Sequence, residues 1–357
     1  MQPDSLEHTP THKGAVWAGL LLVAALGVPL SLLWDLSWES TIGLDLVWSA
    51  PHVATYIVMG LAGVAGVGLC MAGRSGRLGA LVALWGVVAF GSALLFDRWW
   101  QASYGMAAGI WHPPQWVKAA SFFAVVCGAW FAWARRGALG FAVAGAAVLA
   151  MIAVVMMAEN FPNRQHAALF YQMACAAYPL VLVALALAGR GRWAASSAAL
   201  LAMLLQAAMT WLLPLFHAEP LTGPIYHPRD HLWPPPFPLL LVVPAFVLDL
   251  LLRVFPSRRG WSQAVESGLA FFFPFVAVQW SFASFLLTPA AEGWFFAGGG
   301  KEWPFFLHIT AAAQTDFWPA PEGGAFTTGN VLIAAALAIL SARLGLWLGA
   351  WLQRLCR

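Results

Sequence analysis

Charge is what this sequence has least of. Only 9% of its 357 residues are Asp, Glu, Lys or Arg, and 61% are hydrophobic. A soluble domain carries about 25% charged residues, so a soluble globular protein is excluded and a lipid bilayer is the expected surrounding. No nucleic-acid partner is expected of such a chain. Cysteine is also scarce. Cys70, Cys127 and Cys175 sit inside apolar runs, Cys356 is terminal, and none has C-x-x-C spacing. That argues against a disulfide framework and a thiolate metal site. A phosphate loop is missing too. Gly298-Gly299-Gly300-Lys301 is followed by Glu302, whereas a nucleotide cradle needs Ser or Thr after the lysine and a strand before the loop. No nucleotide is expected. The first apolar run lacks a small-residue cleavage site before Trp34, so it reads as an uncleaved first helix.

What the chain has in quantity is long apolar runs. A membrane-spanning helix needs about 20 apolar residues, and ten stretches qualify: 14–33, 51–72, 78–96, 116–134, 138–158, 167–188, 193–215, 237–255, 265–287 and 329–352. The fold expected is an all-α polytopic bundle in a single membrane domain spanning 1–357. Charge supports this layout. Numbering the connections alternately puts thirteen of the 18 Lys and Arg on one side, in short turns such as 73–77, 134–137, 189–192 and 256–260. Only four of the 15 acids share that side: Asp4, Glu7, Asp249 and Glu266. Positive connections stay in the cytoplasm. The expected setting is a bacterial-type inner membrane with both termini cytoplasmic and the longer loops, including 216–236 and 288–328, facing outward. The 21 Trp residues suit an aromatic cap at that interface.

One pattern occurs twice. Trp34 to His52 and Phe96 to Gln115 share D-x-x-W-x-x-[ST]-x-G, a spacer, then W-x-x-P-[HQ]. Asp35 matches Asp97, Trp38 matches Trp100, Thr41 matches Ser103, Gly43 matches Gly105, Trp48 matches Trp111 and Pro51 matches Pro114. Each copy lies between apolar runs, so a tandem unit of helix, polar aromatic loop and helix is expected over 14–72 and 78–134. A Trp shortly before a helix-opening Pro recurs at 48–51, 111–114 and 233–236, and Pro fits the first helical turn.

Chemistry concentrates on the outer side. His52, His112, His166, His217, His227, His231 and His308 all fall there, beside most of the acids. Imidazole and carboxylate suit Zn or Cu. The densest stretch, 215–233, holds His217, His227, Asp230 and His231 as candidate ligands. Pro228 argues against a helix there, so the ligands would have to converge from a folded loop. Asp35, Asp97, Glu159, His166 and His52 are candidates for a second shell or a second site. The alternative for Asp35 and Asp97 is local bracing of their loops. Haem is not expected, because no outer histidine lies mid-helix. Three function classes follow: a membrane metalloprotein, including a metalloenzyme acting on a hydrophobic substrate; a subunit or assembly factor whose outer Trp and Pro loops dock a partner; and a transporter of a small neutral solute. The spans are nearly free of ionisable groups, and Gln206, Gln279 and Asp249 are their notable polar positions. An intramembrane charge relay is therefore disfavoured.

Overall fold

The computed structural model describes residues 12–43, 47–73, 75–105, 112–221, 230–255, 260–297 and 324–355. Ten α-helices run through them: α1 His12–Thr41, α2 Ala50–Met71, α3 Arg77–Tyr104, α4 Pro113–Trp133, α5 Ala138–Val155, α6 Ala168–Ala188, α7 Ala194–Leu212, α8 Val242–Val254, α9 Trp261–Leu286 and α10 Thr328–Leu355. Among the described residues nine helices are long and apolar enough to cross a membrane, α8 being the exception. The chain is thus a multi-pass helical membrane protein. Consecutive helices pack as antiparallel neighbours, α1 also packs on α4 and α5, and α6 touches α5, α7, α8, α9 and α10. The core is made largely of alanine at contact faces, with Trp130, Phe170, Tyr171, Phe271 and Phe275 filling the wider gaps.

The duplicated pattern is helix more than loop. Its D-x-x-W-x-x-[ST] half forms the last turns of α1 and α3, where residues three and four apart share a face. The glycine is the helix stop. Gly43 and Gly105 have φ of 106° and 86°, a conformation glycine adopts without the steric cost of a Cβ. The second helix of each hairpin starts at proline, Pro51 in α2 and Pro113 in α4. The expected polar loop therefore shrinks to a short connection between two proline- and glycine-punctuated ends. Trp111 falls outside the described residues.

The third Trp-Pro run does not open a helix. Residues 232–240 are extended, and α8 begins only at Val242. At 13 residues α8 is about 20 Å long, against the roughly 30 Å of a hydrocarbon core. The expected span 237–255 is thus a helix of about two thirds the spanning length, preceded by extended chain. Pro234, Pro235, Pro236 and Pro238 explain this. Each lacks an N–H and disfavours helical geometry in the residue before it. At its other end α8 is fixed to α7. The Asp249 carboxylate accepts hydrogen bonds from the Ala195 and Ser196 N–H groups and from the Ser196 hydroxyl, at 3.3, 2.8 and 2.6 Å. It serves as an N-cap supplied by a neighbouring helix. The Arg253 guanidinium stacks 4.1 Å above the Trp193 ring.

Candidate functional site

Extended backbone inside a helical bundle must find partners for every N–H and C=O, because lipid offers none. Around 233–240 five of those partners are uncharged side chains. Ser37 and Thr41, on the last turns of α1, clamp Trp233: the Ser37 hydroxyl donates to its carbonyl at 2.5 Å, and its N–H donates to the Thr41 hydroxyl at 2.9 Å. On α7, Thr210 donates to the Pro235 carbonyl at 3.1 Å and Gln206 Nε2 to the Pro236 carbonyl at 3.2 Å. On α9, Gln279 Oε1 accepts the Leu240 N–H at 2.9 Å. Gln279 stands seven residues before the end of α9, about 10 Å inside it. All five side chains are buried.

A second irregular segment joins this layer. Residues 157–167, between α5 and α6, carry Asn160, Asn163, Gln165 and His166, all buried. Gln279 Nε2 donates to Gln165 Oε1 at 2.6 Å, and Gln165 Nε2 donates to the Asn160 carbonyl at 2.6 Å. Phe161 stacks on Trp233 with ring centroids 5.7 Å apart. Asn160 Nδ2 donates to the Ala153 carbonyl at 3.1 Å. His166 Nε2 lies 3.1 Å from the Ser284 hydroxyl, and its ring meets Trp280 edge-on at 4.4 Å. Burial pushes the His166 pKa down to about 4, against smaller upward effects from backbone hydrogen bonds at Pro162 and Trp280. The imidazole is therefore neutral at pH 7. The loop's two charged residues, Glu159 and Arg164, lie 3.5 Å apart and offset each other. The result is one continuous layer of hydroxyl, amide and neutral imidazole groups, built on α1, α7, α9, the 157–167 loop and the extended segment.

The residues singled out in the sequence are spread over several places. Asp35 faces His52 across the α1–α2 hairpin at 3.6 Å. Its counterpart Asp97 bonds Lys118 across α3–α4 at 2.6 Å and accepts from Gln101 at 3.2 Å. Both acids thus pair with a base on the second helix of their own hairpin, beyond any bracing of the loop. Glu159 and His166 belong to the buried loop just described. His217 and His231 oppose each other in an isolated antiparallel bridge. The flanking bonds, Ala218 N–H to Asp230 carbonyl and Leu232 N–H to Phe216 carbonyl, both at 3.0 Å, mark a pair of the closely spaced type, with side chains on one face. His217 Nε2 lies 3.2 Å from Glu219 and His231 Nδ1 lies 2.8 Å from Asp230. The Glu219 hydrogen bond raises the His217 pKa, and the His231 hydrogen bond holds Asp230 below the usual carboxylate range. Beneath the bridge, Ile42, Leu213, Ala218 and Leu232 form a small apolar cluster with Trp34, Trp38 and Met209. His227 lies outside the described residues. Among the described residues no group of three or more His, Cys, Asp or Glu is placed to hold a metal ion.

Ser37, Thr41, Gln165, Asn163 and Thr210 were not anticipated as site residues. Gln206 and Gln279 were visible as polar interruptions of apolar runs, and the proline run as a helix breaker, but nothing in the sequence joined them. No protein-family model, curated protein or solved structure matches the chain.

Proposed function

We propose that the chain is a membrane carrier or facilitator for a small uncharged polar solute, handled at the layer around the interrupted eighth crossing. The observation behind this reading is the extended 233–240 backbone bonded by Ser37, Thr41, Gln206, Thr210 and Gln279. Non-helical backbone at membrane depth is retained only where protein buries it or where it lines a polar path. Interrupted helices near the midplane are a recurrent way to build solute sites in transporters. The layer has no unbalanced charge among the described residues, which favours a neutral solute. The test is osmotic: proteoliposomes are shrunk in urea, acetamide or glycerol, and their reswelling is followed by light scattering. Faster reswelling than in empty liposomes for at least one solute, slowed by Gln206→Leu, is expected. Equal rates for protein-containing and empty liposomes with every solute would reject the reading.

A second reading rests on the His217–His231 bridge. Two imidazoles on one face, each with a ring nitrogen at a carboxylate, resemble the outer-sphere pairing of metal-bound histidines. With His227 as a third ligand they would form a Cu or Zn site at the long-loop end, Glu219 and Asp230 holding the imidazoles from the outer sphere. Metal content of detergent-purified protein, beside a His217→Ala/His231→Ala variant, tests it. One equivalent of metal that disappears in the variant supports a site. Metal-free native protein, also after Cu and Zn are offered, removes it.

A further inference from the structure

We infer that Asn163 is the recognition residue of this layer and that the solute is of the amide or urea class; this rests on the carrier reading above. Four buried polar side chains sit in the 157–167 loop, and three of them are engaged. Asn160 donates to Ala153, Gln165 bonds both Asn160 and Gln279, and His166 meets Ser284. Asn163 differs. It is only 3% exposed, and neither its Oδ1 nor its Nδ2 has a hydrogen-bond partner among the described residues. The Asn160 Oδ1 is likewise without one.

A buried amide unsatisfied at both ends is costly to the fold. Such a group persists where something else supplies its partners. An Asn side chain offers a carbonyl acceptor beside an N–H donor in one plane. The complementary partner presents a donor beside an acceptor with the same spacing, as a primary amide or urea does, and the two join through paired parallel hydrogen bonds. A polyol can bond either end but lacks the planar match. An ionic solute is disfavoured because Glu159 and Arg164 already face each other. The neighbouring Gln165–Gln279 amide pair continues the same chemistry toward the extended segment.

The experiment measures uptake of radiolabelled urea, acetamide and glycerol into proteoliposomes holding the full chain. Wild type is compared with Asn163→Leu, which keeps the branched shape at a larger volume and removes both polar atoms, and with Asn163→Asp, which keeps the shape and loses the donor. Thermal unfolding in detergent identifies any variant that fails to fold, and the other variant then decides. Wild type is expected to carry urea and acetamide in preference to glycerol. Both variants should lose about tenfold in that preference, the worth of one to two neutral hydrogen bonds. Equal passage of all three solutes, unchanged by the variants, would overturn the assignment of Asn163 while leaving the carrier reading in place. No uptake of any of the three above empty liposomes would overturn both.

Discussion

Gln279 Nε2 donates to Gln165 Oε1 at 2.6 Å while the Gln279 Oε1 accepts the Leu240 N–H at 2.9 Å. One side chain on α9 thus ties the buried 157–167 loop to the end of the extended segment. Gln279→Leu keeps the volume and removes both bonds, leaving the Leu240 N–H and the Gln165 carbonyl unsatisfied in a buried setting. Each such group costs about 1–3 kcal/mol. The variant is expected to lose about 2–4 kcal/mol of stability, read as a fall in Tm in detergent. Gln172→Leu, which removes a longer 3.3 Å contact to Asn330 at a partly buried site, should cost less than about 1 kcal/mol.

The two hairpins place the same acid against different bases. Asp97 and Lys118 meet at 2.6 Å with side chains 11% and 21% exposed, whereas Asp35 and His52 stand 3.6 Å apart and are more open. Removing one member of a sheltered pair strands the other. Lys118→Met is expected to cost about 2–3 kcal/mol, and adding Asp97→Asn should recover at least half of that loss. His52→Leu should cost less than about 1 kcal/mol, as more exposed pairs do. Thermal unfolding of the single and double variants measures both. Strict additivity of the Asp97 and Lys118 changes would show that their proximity carries no coupling.

These pairings also mark how far the sequence could be read. Helix number and order follow from apolar run length, and nine of the ten expected spans match long helices in place. Pro51 and Pro113 mark helix starts by a backbone rule that acts locally, so they are legible as punctuation, whereas Gly43 and Gly105 stand out only as a shared position, because the expected first and third spans end at 33 and 96 and α1 and α3 run on to Thr41 and Tyr104. The eighth span differs from the expected helix because apolarity measures transfer into lipid, whereas Pro234 to Pro238 decide whether a helix can form. The bases facing Asp35 and Asp97 sit at different steps after the aligned prolines: His52 follows Pro51 directly, while Lys118 comes one turn after Pro114. Aligning the copies therefore could not pair them with their acids. The polar layer draws on residues 37 to 279, and a grouping made by tertiary packing leaves no spacing to detect. Asp249 stands out in the sequence only as a polar position near the cytoplasmic end of its span, four residues before Arg253, and its role as a cap for α7 depends on a helix more than fifty residues earlier.

His166 gives the fold a specific acid sensitivity. Burial lowers its pKa from 6.5 to about 4. Above pH 6.5 the imidazole is neutral in both folded and unfolded chains and has no effect on stability. Between pH 6.5 and about 4 the unfolded chain binds a proton that the folded one does not, so stability falls with falling pH. Below about 4 both forms are protonated and the loss is complete. His217 and Asp230 act in opposite directions. The raised His217 pKa favours the 217–231 bridge at low pH and that contribution fades as pH rises through its titration. The lowered Asp230 pKa favours the bridge above the ordinary carboxylate range and that contribution fades in acid. Both residues are fully exposed, so His166 should dominate. Tm measured from pH 8 to 4 is expected to decline below pH 6.5, and His166→Gln should flatten that slope. An unchanged slope in the variant would assign the acid sensitivity to other groups.

Helix contact in this bundle depends on glycine at particular places, and α3 against α4 is the sharpest case. A Cβ on Gly79 would come within 2.3 Å of the Gly128 carbonyl oxygen, and one on Gly128 within 2.6 Å of the Gly79 carbonyl oxygen. The obstructing atoms are backbone, so no rotamer change relieves the overlap and the helices must separate. Separation would also disturb Ala83 and Ala132, which border the same contact, and would strain the Asp97–Lys118 pair farther along these helices. Gly60 on α2 is the control: a Cβ there meets nothing within 4 Å. Gly128→Val is expected to destabilise the protein by more than about 3 kcal/mol, as overpacking against fixed backbone does. Gly60→Ala should be neutral or slightly stabilising, by up to about 1 kcal/mol, since alanine is the better helix former. Yield of monodisperse protein and Tm in the same detergent read both changes. Equal tolerance at positions 60 and 128 would mean that α3 and α4 do not meet through these glycines.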